Sequence, residues 1–202
     1  MRIAWLEMWS GLSGDMFVGA LLDAGWPEER LRAGVEALGL GPFSLQVERR
    51  RHRGLTGLGI RVEAPSDPPH RHYRDIVSML ERSMLPEPVR KRALEAFRLI
   101  GEAEARVHGA TLDRVHFHEI GAYDSIVDLV ASVLGAHELG LERIEAGPAP
   151  IGRGEIEIGH GRVPVPAPAT ALLLEGWPVR ATQDEGEFLT PTAAALLRVL
   201  AV

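Results

Sequence analysis

Apolar and polar positions along this chain repeat with two different periods, and the changes of period mark out its elements. Residues 2–8 form a short apolar run closed by the turn-like Ser10-Gly11-Leu12-Ser13-Gly14, the pattern of a buried strand. A helical period follows from about Asp15 to Ala24 and again from Pro27 to Leu38, with Pro27 near the first turn of the second helix. Strand-like pieces then fall at about 43–50 and 58–64, and Pro65-Ser66-Asp67-Pro68-Pro69 can continue neither element. Helices are predicted at about 73–83 and 87–107, the second closed by His108-Gly109, and another from Asp124 onward. Strands are expected at 144–150 and 154–158. Seven of the 14 prolines lie beyond residue 147, so this last part is turn-rich and stiff, and Thr190-Pro191 reads as a helix start.

Strands interleaved with helices predict an α/β fold, a mixed sheet layered with helices, whose strand order the pattern does not give. The 202 residues fit one module, with the proline loop allowing two lobes of about 1–65 and 70–202. The closing Leu196-Leu197-Arg198-Val199-Leu200-Ala201-Val202 is an apolar helix with no capping glycine or polar tail. This suggests that the end docks onto something or that a longer protein continues.

Composition narrows the chemistry. A 46% hydrophobic, 25% charged chain is ordinary for a globular protein, and a net charge of −6 argues against a nucleic-acid-binding surface. No apolar run is long enough to span a membrane. Glu7 and Asp15 interrupt the N-terminal apolar stretch, so no signal peptide is read there and a cytoplasmic location is expected. With no cysteine, any metal must be held by His, Asp, Glu or backbone oxygen.

The densest chemistry lies in Val115-His116-Phe117-His118-Glu119-Ile120-Gly121-Ala122-Tyr123-Asp124-Ser125-Ile126-Val127-Asp128. On a strand His116 and His118 share a face; on the following helix Asp128 stacks on Asp124 at i,i+4. Two imidazoles and two carboxylates at a strand-to-helix junction suit a borderline divalent cation, with His116, His118 and Asp124 as metal ligands. Glu119 and Asp128 are the candidate catalytic groups. The alternative is that Asp124 or Ser125 merely caps the helix. Against it, the helix is apolar except for a narrow stripe through Ser125, Asp128 and Ser132, so Asp128 is half-buried and needs a partner.

Other candidates are scattered. Ser10, Gly11, Ser13 and Gly14 lie between a strand and a helix, where backbone N–H groups could approach an oxyanion, although no Gly-Lys-Ser/Thr follows and Asp15 opposes a phosphate. Asp15 is therefore a cap or a metal contact. His70 and His72 follow the proline loop and could be ligands, though paired loop histidines are more often solvated. His160 precedes Pro164-Val165-Pro166-Ala167-Pro168, a stiff rim, and Arg51 stands in a basic run (49–53) able to meet a substrate phosphate.

In this order, Ser-Gly-Leu-Ser-Gly-Asp-Met (10–16), His-x-His (70–72), the 115–128 segment, His-Gly-x-x-Pro-Val-Pro-Ala-Pro-Ala-Thr (160–170) and Thr-Pro-Thr (190–192) resemble the N-terminal part of the LarC family of nickel-insertion proteins. The resemblance covers essentially the whole chain. It implies a cyclometallase that inserts nickel into pyridinium-3,5-bisthiocarboxylic acid mononucleotide to make the nickel-pincer cofactor of lactate racemase-type enzymes. It also implies CTP with Mn or Mg, bound by a C-terminal half beyond this module. Two departures are Glu7, where the family usually has Asp, and Ala193, where it usually has Gly. A metal-dependent phosphohydrolase or nucleotide enzyme, and a non-catalytic nickel-binding scaffold, are the competing readings. A homo-oligomer is left open, because oligomeric state is not legible in the pattern.

Overall fold

The protein is described by a computed structural model covering residues 1–52, 54–65, 71–115, 122–159 and 161–202. In chain order its elements are β1 (Arg2–Leu6), α1 (Gly14–Asp23), α2 (Glu28–Glu36), β2 (Ser44–His52), β3 (Leu55–Glu63), α3 (Tyr73–Arg82) and α4 (Glu87–His108). They continue with α5 (Tyr123–Glu138), β4 (Leu141–Ala146), β5 (Ala149–Arg153), β6 (Glu155–Ile158), β7 (Gly161–Pro164), α6 (Pro168–Leu173), β8 (Val179–Glu185) and α7 (Pro191–Leu200). The fold is α/β, as the interleaved pattern predicts.

The sheet is not one continuous layer. Among the described residues the strands form four two-stranded ladders: β1–β4 and β5–β8 parallel, β2–β3 and β6–β7 antiparallel. The single strand expected at 144–150 divides at Gly147-Pro148, where proline lacks a ladder N–H, and its halves take different partners. The buried strand expected at 2–8 is also corrected. β1 ends at Leu6, and Ile3 and Trp5 are 50% and 59% exposed, because it is the alternate residues Ala4 and Leu6 that pack against the core.

The core is built around α5. Ile126, Val127, Leu129, Val130, Ala131 and Val133 are fully buried, and α1, α2, α4 and α7 pack around them. A helix apolar on nearly every side belongs inside a helical layer. Truncating Leu129 to alanine in such a place costs about 2–5 kcal/mol. The interruptions to this surface are the polar residues Ser125, Asp128 and Ser132. Ser132 is fully buried and its hydroxyl has no hydrogen-bond partner among the described residues.

Two glycines on α1 let neighbouring elements come close. A Cβ on Gly14 would lie 2.5 Å from the Asp128 Cβ and 3.1 Å from the Thr192 Cγ2, so glycine there lets the start of α1 touch both α5 and α7. A Cβ on Gly19 would lie 2.2 Å from the Leu58 carbonyl oxygen, so glycine there seats the β2–β3 hairpin on α1. The Leu58 N–H donating to Asp23 Oδ2 at 2.7 Å fixes the same contact.

Candidate functional site

The starts of α1 and α5 meet at one cleft of about 620 Å³. Ser13, Gly14 and Asp15 line it from α1, and Ala122, Asp124, Ser125 and Asp128 from α5. The end of α4 contributes Glu104, Val107 and His108, and the link into α7 contributes Glu187 and Thr190–Thr192. Ile158, Val163 and Ala167–Ala169 make an apolar side. One wall is therefore acidic and another greasy, and His108 is the sole basic residue among the described lining. This cavity favours a cation, or a flat cationic ring, over a bare phosphate.

Asp128 is the electrostatic centre. Burial raises its pKa well above the usual carboxylate range, and the charges of Asp15 and Asp124 push it further; a hydrogen bond from the Asp15 backbone N–H works in the other direction. The helix starts do not need these carboxylates as end caps: the cap positions are Ser13 for α1 and Ala122 for α5, neither with a side-chain cap bond. Asp124 Oδ1 does accept the Ser125 N–H at 2.8 Å, and the Ser13 hydroxyl donates to Asp15 Oδ1 at 2.5 Å. Both helix N-termini point partial positive charge at the cleft, which helps hold acids there. Among the described residues no three His, Asp or Glu side chains gather tightly enough to make a metal cage. A complete ligand set therefore needs further donors. His116, His118 and Glu119 lie outside the described residues, as do His70 and His160; segment 116–121 leads directly into Ala122 on the cleft wall.

The other sequence candidates separate. Gly11 lies against the Phe188 carbonyl, and Leu12 donates its N–H to that oxygen at 2.8 Å. The Gly11 N–H turns back to the Met8 carbonyl at 3.4 Å, and the Thr190 N–H reaches the Leu12 carbonyl at 3.4 Å. The loop at 10–14 is thus zipped to residues 188–190, while Gly14 faces a carboxylate rather than an oxyanion space; Ser10 is exposed and does not line the cleft. His72 sits at the start of α3, its backbone N–H donating to Asp75 Oδ2 at 2.8 Å, and does not line the cleft either. Its neighbour Arg71 stacks over the Tyr123 ring, 4.4 Å from the centroid, which brings this segment beside the first turn of α5. In the basic run it is Arg50, not Arg51, that reaches the acidic wall, 3.9 Å from Asp15 Oδ2. Arg50 is held by Glu48 Oε1 at 2.8 Å and the Ile60 carbonyl at 3.1 Å, whereas Arg51 is exposed on β2.

Three ionisable lining residues, Glu104, His108 and Glu187, escape the sequence pattern. Glu104 and His108 pair at 3.3 Å (Oε2 to Nε2), and their i,i+4 spacing just before Gly109 is the one local signal of that pair. Glu187 carries none, since only the tertiary fold brings it to the cleft.

The sequence profile described as nickel insertion protein matches residues 4–202. The chain belongs to the nickel insertion protein family. A relative from Thermomicrobium roseum is 50% identical over 204 residues, covering 100% of this chain and 50% of its own length. One from Geobacter metallireducens is 46% identical over 203 residues, covering 100% and 52%. Both are named for nickel insertion. A third, from Desulfitobacterium hafniense, is 43% identical over 197 residues, covering 98% and 49%, and is named a pyridinium-3,5-bisthiocarboxylic acid mononucleotide nickel insertion protein. The chain thus spans about half the length of the curated relatives it matches. No solved structure matches it. Among the described residues no helix is long and apolar enough to cross a membrane.

Proposed function

We propose that this chain is the nickel-handling part of an enzyme that inserts nickel into pyridinium-3,5-bisthiocarboxylic acid mononucleotide, and that the cleft at the starts of α1 and α5 is where metal and substrate meet. The observation that carries this is the convergence of Asp15, Asp124 and Asp128 in one cleft, with the Asp128 carboxyl pushed well up by burial and by its two acidic neighbours. A divalent cation relieves that crowding directly.

Nickel is the cargo here. Carboxylate oxygen and imidazole nitrogen hold Ni(II) firmly enough to collect it, while the softer thiocarboxylate sulfurs of the substrate can draw it away. His116 and His118, next to the cleft in sequence, complete the donor set. As the nickel–carbon bond forms, the ring carbon loses a proton, and that proton passes to a carboxylate. Asp128, which lines the cleft, and Glu119 are the candidate bases for it. The apolar side around Ile158 and Val163 receives the ring, and Arg50, at the acidic edge beside Asp15, can meet the substrate phosphate. CTP with Mn or Mg belongs, on this reading, to the other half of the family's polypeptide. In this chain Gly11 and Leu12 of the loop at 10–14 are packed against residues 188–190, while Ser13 and Gly14 line the cleft.

Reconstitution tests the division of labour. The chain should bind Ni(II) by itself, and exchanging His116 and His118 together for alanine should weaken that binding in a variant that stays folded. Nickel insertion should require CTP and the second half. CTP-dependent insertion by residues 1–202 alone would overturn the scheme, and a chain that binds no nickel would overturn the site.

A further inference from the structure

We propose that the outward face of the β1–β4 ladder is the docking surface for the half of the family's polypeptide that this chain does not match, an inference that rests on the proposed two-part division of function. Parallel ladders are normally covered on both faces. Here Ala4, Leu6 and Ile144 face the core, whereas Ile3 and Trp5, two residues apart on β1, face outward at 50% and 59% exposure. Trp9, just beyond the strand, is 73% exposed. Two of the chain's four tryptophans therefore stand in solvent along one short stretch. Opposite Ile3 and Trp5 in the register lie Arg143 and Glu145, paired with each other at 3.0 Å, so a charged border adjoins the apolar strip. Aromatic anchors beside a polar rim are the composition of a protein interface.

The position of the chain's ends identifies the occupant. The Met1 amino group lies 3.3 Å from Glu142 Oε1, and the Val202 N–H donates to the Ile144 carbonyl at 2.9 Å; both partners are on β4. The relatives carry about as many residues again outside the matched stretch. Whichever end those residues extend, they leave the module at this ladder, and the tether gives them a high local concentration beside the exposed strip. Among the described residues the outer edge of β1 also pairs with no strand, leaving N–H and C=O groups for an added one.

The experiment mixes the full chain with the unmatched half of the Thermomicrobium roseum relative, produced separately, and follows binding by calorimetry and mass by light scattering. A one-to-one complex is expected, weakened at least about tenfold by Trp5→Ser and by the rim charge reversal Arg143→Glu, which leaves the apolar strip intact. Both variants should keep the wild-type circular dichroism and nickel affinity. No complex, or a complex indifferent to both substitutions, overturns the proposal. So does a self-association of the chain that Trp5→Ser abolishes, since it assigns the face to a second copy. Loss of nickel binding with docking intact would instead refute the cleft reading alone.

Discussion

Helix α5 carries two half-buried carboxylates, and the fold treats them in opposite ways. Glu138, its last residue, would be pushed up by burial, but hydrogen bonds from Arg30 and Trp26 outweigh this and hold its pKa below the usual value. The Trp26 indole N–H donates to it at 2.7 Å and the Arg30 Nε at 3.1 Å. Asp128, near the start of the same helix, has burial and two acidic neighbours acting together, opposed by one backbone N–H. A carboxylate supplied with a cation and an indole is architecture, tying α2 to α5. One crowded by like charges in a cleft is, on the proposed function, the one whose stabilising partner arrives from outside.

If the two ends of α5 differ in this way, substitutions there should have separable effects. The largest is expected on nickel affinity. Loss of outer-sphere partners alone costs about 10–100-fold, so Asp15→Ala with Asp124→Ala should weaken Ni(II) binding by on the order of a hundredfold. Glu138→Ala should leave it unchanged. Calorimetric titration of both variants decides this, and a nickel loss shared by Glu138→Ala would erase the distinction.

Stability should respond the other way round. Removing Glu138 leaves the Trp26 N–H and the Arg30 guanidinium without their shared acceptor, and Glu138→Ala should cost about 1–3 kcal/mol in urea unfolding. Asp128→Asn keeps an acceptor for the Asp15 N–H while removing the disfavoured charge. Because the folded-state pKa of Asp128 is raised, its contribution to stability is fully present below about pH 3.9 and is lost as pH rises through the folded value. Metal-free Asp128→Asn should therefore be the more stable protein at neutral pH, with the gap closing in acid; a variant destabilised at pH 7 would show that Asp128 is not strained by its neighbours. The smallest change is expected at Arg50. Its contact with Asp15 is long and both side chains are well exposed, so Arg50→Gln should move stability by less than about 0.5 kcal/mol. If Arg50 meets the substrate phosphate, the variant should still weaken substrate binding and flatten its salt dependence.

Much of this was legible in the residues, for specific reasons. The helical periods place α1, α4 and α5 to within a few positions, and Thr190 does cap α7, its hydroxyl accepting the Ala193 N–H at 3.2 Å. The narrow polar stripe of α5 foretells that Asp128 is half-buried, because a carboxylate between Val127 and Leu129 has little route to solvent. What stayed hidden has no local signature. β8 is exposed along nearly its whole length, so it shows no alternation, and α6 is too short to display a period. The zipping of the loop at 10–14 to residues 188–190, a packing joint at Gly11 and Leu12, joins segments far apart in sequence. Glu187 enters the cleft by the same route.

Everything proposed for the cleft depends on nickel sitting among the carboxylates at the starts of α1 and α5. Crystals of the chain grown with Ni(II), with diffraction recorded on both sides of the nickel absorption edge, would locate the ion. One dominant anomalous peak is expected in the cleft, within about 2.0–2.2 Å of an oxygen of Asp15, Asp124 or Asp128. A dominant peak elsewhere, with the cleft empty of nickel, would contradict that placement.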